Sequence, residues 1–91
     1  MNEPSLYPSD KSIDNIAEFR HLFSEHKKDV FAMALSILRD FELSEDVLQE
    51  VYIKLFTYMK HNEITNVKAW LLSVSRNTAL DLYRKKKREL F

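Results

Sequence analysis

The chain has 91 residues, 14 basic and 14 acidic side chains for a formal net charge of zero, and neither cysteine nor glycine. That length holds one domain with a modest core. Without cysteine there is no disulfide framework and no thiolate metal site, and a neutral total argues against a general polyanion binder. The longest apolar run, residues 30–38 (VFAMALSIL), falls far short of the roughly 20 residues that span a bilayer. The opening MNEPSLYPSD lacks the basic start and apolar stretch of a secretion signal. The reading is a soluble, cytoplasmic protein with no membrane partner.

Residues 1–11, with Pro4 and Pro8, read as a flexible leader, and residues 12–90 as the folded domain. From Ile16 the positions Ile16, Phe19, Phe23, Val30, Ala34 and Ile37 recur at three- and four-residue steps, with His26 filling the interval, which predicts one long or kinked helix over about 14–38. Residues 39–43 form a short connection. Ser44 is the expected N-cap of a second helix, about 44–60, because its hydroxyl can accept from a first-turn amide, and Glu45 and Asp46 suit the positive end of the helix dipole. Its buried stripe is Val47, Leu48, Val51, Tyr52, Leu55, Phe56 and Met59. Residues 60–66 (KHNEITN) break the pattern, and Thr65 or Asn66 caps a third helix, about 67–87, with Trp70, Leu71, Val74, Thr78 and Leu82 toward the core. In a chain without glycine, Asn62 is the residue expected to take a left-handed backbone. The fold class is all-α, a compact antiparallel bundle of three to four helices.

Two polar features stand on this frame. Asp46, Gln49, Glu50, Ile53 and Lys54 fall at steps of three, four, seven and eight residues, a polar stripe with one isoleucine opposite the core of the second helix. On pattern alone it also reads as an ordinary solvated face. On the third helix Asn77, Asp81 and Arg84 share a flank at i, i+4 and i+7, and Arg84, Lys85, Lys86, Lys87 and Arg88 form a basic end. Asn77 and Asp81 are expected to pin local structure, since buried polar groups are hydrogen-bonded, with Asp81 able to pair with Arg84. Trp70 reads as core first and as a base-stacking surface second. The histidines His21, His26 and His61 have no metal-ligand spacing, no nucleophile stands in a recognisable setting, and no cofactor or catalytic residue is assigned.

The segments SEDVLQEVYIKLF (residues 44–56) and AWLLSVSRNTALDLYRKKKR (residues 69–88) together resemble, in type, order and spacing, region 2 of bacterial sigma factors of the extracytoplasmic-function (ECF) group. The likeness covers about residues 15–90. Arg39 stands where that family often has glycine, Ser44 where alanine precedes the acidic pair, and Phe56 where tryptophan is frequent. The resemblance implies that Asp46, Gln49, Glu50, Ile53 and Lys54 bind the clamp helices of the largest subunit of core RNA polymerase. It implies that the loop and the start of the third helix hold the exposed non-template strand of the promoter −10 element, through Lys60, Asn62, Glu63, Thr65, Asn66 and Lys68. Arg76, Arg84, Lys85, Lys86 and Lys87 would then meet phosphates, with Trp70, Asn77 and Asp81 structural. An anti-sigma protein is a further candidate partner, and the chain is expected to be monomeric. A sigma factor of this group also carries a helix-turn-helix domain for the −35 element, which nothing after Lys85 encodes, so a region 2 fragment or a natural truncation is expected. The alternatives are an all-helical protein-interaction bundle, which leaves the basic end as mere solubility, and a non-sigma DNA-binding domain, which the acidic outward face of the second helix disfavours.

Overall fold

The computed structural model describes residues 10–90, and within them three helices and no strand: α1 (Asp10–Leu38), α2 (Phe41–Met59) and α3 (Val67–Leu90). The prolines expected in the leader lie outside the described residues. α1 already includes Asp10 and Lys11, because nothing between Asp10 and Ile13 breaks a helix. It then runs unbroken for 29 residues.

A two-residue connection joins α1 to α2, so the pair forms an antiparallel hairpin. Arg39 takes a left-handed backbone, φ 52°, and its amide donates to the Leu35 carbonyl at 2.8 Å. Asp40 is the N-cap of α2: its backbone is extended and its Oδ1 accepts from the Leu43 amide at 2.9 Å. Two expectations are corrected here. Ser44 is not the cap but a fully buried first-turn residue whose Oγ donates to the Asp40 carbonyl at 2.7 Å. Ser44, Val47, Val51 and Leu55 lie on one face at steps of three and four, all buried, so the helix must be wound one turn before Ser44 for that face to start there. The left-handed residue is Arg39 rather than Asn62, whose side-chain amide instead donates to the Tyr58 carbonyl at 3.0 Å and closes the end of α2.

At the entry to α3, Asn66 rather than Thr65 supplies the cap, its Oδ1 accepting from the Ala69 amide at 3.0 Å. α3 runs antiparallel to α2, with Trp70 beside Tyr58 and Thr78 beside Lys54. All three helices pack on one another, and Phe19, Phe23, Val30, Ala34, Val47, Val51, Leu55, Leu71 and Ala79 form the core. At the loop end, Phe19 and Phe23 of α1 meet the edges of Tyr52 and Phe56 of α2, with ring centroids 4.6 to 5.2 Å apart. Several expected core residues sit at its margin. Ile16 is 41% exposed and Tyr52 40%, while Trp70, Val74, Leu82 and Ile37 are part-buried. The interior of α3 is lined by Leu71 and Thr78, as expected, and also by Ser75 and Ala79, with Ser75 Oγ donating to the Leu71 carbonyl. Small residues there let α3 approach its neighbours closely.

Candidate functional site

The outer side of α2 carries Asp46, Gln49, Glu50, Ile53 and Lys54, all exposed. Lys54 is tied inward: its Nζ lies 3.1 Å from Glu50 Oε2 and donates to Thr78 Oγ1 at 3.0 Å, linking the stripe to α3. Ile53 is 63% exposed and opens onto a shallow groove of about 360 Å³ that runs between α2 and α3 past Thr57, Tyr58, Trp70 and Val74. The rings of Tyr58 and Trp70 stand 5.0 Å apart along it. Trp70 is therefore a groove wall as well as a margin of the core.

At the end of the bundle, the 60–66 segment folds against the amino-terminal half of α1. Together they enclose a cleft of about 450 Å³ with an apolar floor of Leu22, Met59, Ile64 and Val67 and a polar rim of Glu18, Asn62, Glu63 and Thr65. Asn66 is engaged as the α3 cap beside it. Lys60 leans over the Phe56 ring at 5.0 Å, and Lys68 lies 3.8 Å from Asp29 of α1 in an exposed pair. Such pairs are weak and yield readily to another anion.

The remaining expected residues are spread along α3. Arg76 is exposed. Arg84 Nη1 donates to Asp81 Oδ1 at 3.3 Å, the pairing anticipated from their spacing, and Lys87 sits 5.9 Å from the Tyr83 ring. Lys86 faces Glu89 at 3.7 Å, and Lys85 is exposed. Asn77 and Asp81 do not pin α3 through burial, because both are exposed. They stand off the face defined by Leu71, Ser75, Thr78 and Ala79, and Ser75 and Thr78 take the buried polar positions instead. From Asn66 to Arg84 the helix rises roughly 27 Å at about 1.5 Å per residue. The loop and the basic end therefore cannot touch the same nucleotide, whereas Asn62, Glu63 and Thr65 share one cleft.

Glu18 and Leu22 were not legible as site residues. They lie on α1 within an ordinary amphipathic pattern, and only the tertiary fold carries them to the loop. Among the described residues no group of three or more His, Asp or Glu side chains is gathered so as to hold a metal ion, and no helix is long and apolar enough to cross a membrane.

One three-helix domain thus carries an exposed polar stripe on α2, a lined cleft where the loop meets the bundle, and a basic helix end leading away from it. The chain belongs to the sigma-70 region 2 family, whose model matches residues 22–89. Similar curated proteins include the ECF RNA polymerase sigma factor SigM of Bacillus subtilis (strain 168), 33% identical over 69 residues that make up 76% of this chain and 42% of that protein. The ECF RNA polymerase sigma factor SigX of the same organism is 34% identical over 68 residues, 74% of this chain and 35% of that protein. The chain thus spans less than half the length of these relatives. No solved structure matches it. Family and relatives together place this chain as a sigma region 2 domain similar to those of ECF sigma factors.

Proposed function

We propose that this domain docks on core RNA polymerase through the outer side of α2 and holds the unpaired non-template strand of the promoter −10 element at the 60–66 loop. The observation that carries the second half is the cleft, in which Asn62, Glu63 and Thr65 surround an apolar floor at the amino-terminal end of α3. Such a floor takes the face of a base that has left the stack, and the rim offers its edge hydrogen bonds. Lys60 and Lys68 follow the cleft residues Met59 and Val67 in the chain, and their exposed side chains are the groups proposed to meet phosphates beside an inserted base.

Arg76 lies between, and Arg84, Lys85, Lys86 and Lys87 continue the track. At roughly 3.4 Å of rise per base pair, the 27 Å from the loop cap to Arg84 corresponds to about eight base pairs, so the basic end lies along the duplex next to the opened segment. Phosphate contacts there orient the complex while the loop reads bases.

For the first half, the clamp helices of the largest polymerase subunit are the partner of Asp46, Gln49, Glu50 and Ile53. Lys54 supports this face by holding Glu50 and α3 rather than by reaching outward. An anti-sigma protein would compete for the same side of α2. The domain acts by binding alone, in the cytoplasm, as a monomer.

The test is reconstitution with core RNA polymerase. The assembled chain is expected to retain a single-stranded −10 non-template oligonucleotide in preference to the same sequence as duplex and to a scrambled strand. Equal retention of all three would leave only charge-driven binding and overturn the reading.

A further inference from the structure

The groove between α2 and α3 differs in kind from the polar stripe it borders. Ile53, Tyr58, Trp70 and Val74 line it with carbon. The one charged residue on its wall is Lys54, whose ammonium is drawn away to Glu50 Oε2 at 3.1 Å and to Thr78 Oγ1 at 3.0 Å. Lys54 therefore contributes its methylene stem to the groove and keeps its charge out of it. Groove and stripe are continuous, because Ile53 belongs to both and is 63% exposed. Tyr58 is also exposed, and its ring stands tilted against Trp70 at 5.0 Å. Asp46 and Glu50 rise from the same outer side of α2. An occupant must accordingly be apolar at its centre and basic at its edge, a requirement that the phosphates of a nucleic acid do not meet.

We propose that this groove is the apolar anchor of the polymerase-docking face, receiving an apolar side chain from an amphipathic helix of core RNA polymerase whose basic residues face Asp46 and Glu50. A helix laid into a groove binds through apolar residues spaced one turn apart, and tyrosine and tryptophan are the side chains that most often carry such contacts. Tyr58 and Trp70 thereby join Ile53 in contact with polymerase, while Asp46, Gln49 and Glu50 form the rim that orients the partner. Thr78, buried on α3, acts as a positioning residue by holding the Lys54 ammonium clear of the groove. The inference rests on the reading that α2 docks on core polymerase. It adds residues from the end of α2 and the start of α3, and the chemistry of what they receive.

The experiment measures assembly of the whole chain with core RNA polymerase at low and at high salt. Ile53→Ala and Tyr58→Ala shorten the groove walls, and Thr57→Trp fills the groove from an exposed position that is no part of the core. Each variant is first checked for unchanged helicity and melting. Each is expected to lower assembly affinity by roughly tenfold or more, the effect of losing an interface anchor. Salt screens the charges of the rim but not apolar burial, so assembly by these variants is also expected to fall more steeply with salt than that of the wild type. Wild-type affinity in Tyr58→Ala and Thr57→Trp, with Gln49→Ala still weakening assembly, overturns the anchor and leaves the docking reading standing. Unchanged assembly of Tyr58→Ala combined with poorer retention of a single strand by the assembled complex assigns the groove to nucleic acid and likewise overturns the proposal. Failure of the wild-type chain to assemble with core polymerase overturns both the inference and the reading beneath it.

Discussion

Arg39 is the one described residue other than glycine with positive φ, 52°, at the junction where α1 must stop so that α2 can turn back. For a side chain with a Cβ that conformation costs roughly 1–2 kcal/mol, which glycine largely avoids at the expense of greater freedom when unfolded. Arg39→Gly is therefore expected to stabilise the domain by about 0.5–1 kcal/mol in denaturant melts; a drop in stability would show that the arginine side chain is held by a compensating interaction. Trp70 belongs to the same scale. It lines a groove and is part-buried, so Trp70→Ala should cost about 1.5–3 kcal/mol, the range for moving one large apolar side chain between core and solvent. That is less than the roughly 3–5 kcal/mol of a fully enclosed aromatic. A cost in this higher range would mean that the groove closes over the ring in solution.

α2 has two unlike faces. Ser44, Val47, Val51 and Leu55 bury one side, and Asp46, Gln49, Glu50 and Ile53 leave the other open. Gln49→Ala lies wholly on the open side, so it should weaken assembly with core polymerase while leaving the melting transition in place; truncations at the centre of an interface commonly cost about 2 kcal/mol or more. Unchanged assembly would return the stripe to an ordinary solvated face. Glu50 is a less clean probe, because its removal also frees Lys54 from one of its two partners. The helical pattern made α2 and its buried face readable in advance, down to Val47, Val51 and Leu55. It misplaced the start of the helix because Asp40 and Ser44 are both good caps by type, and only the direction of the buried face chooses between them. In α3 the apolar pattern overrated Trp70 and passed over Ser75 and Ala79, whose small size is what lets helices approach.

At the scale of the whole fold, the loop, α1 and the start of α3 meet around one cleft, and the basic run of α3 leads away from it. Neutralising Arg84, Lys85, Lys86 and Lys87 together is expected to lower promoter affinity about equally for all sequences. It should also flatten the dependence of log affinity on log salt by roughly 0.7–0.9 for each phosphate no longer neutralised. A change in base preference from that substitution would show that the basic end reads sequence. The loop residues Asn62, Glu63 and Thr65 could be named from the chain alone through the family likeness, but their pairing with Glu18 and Leu22 could not, since some forty residues separate them and only helix packing joins them. If base recognition resides in this loop cleft, the direct measurement is to exchange residues 62–66 for the loop of another sigma factor of the family. Base preference is then scored at each −10 position, using reconstituted holoenzyme on pre-melted templates. A preference that moves to that of the donor loop is the predicted result; a preference unchanged at every position, with open complexes still formed, would contradict it.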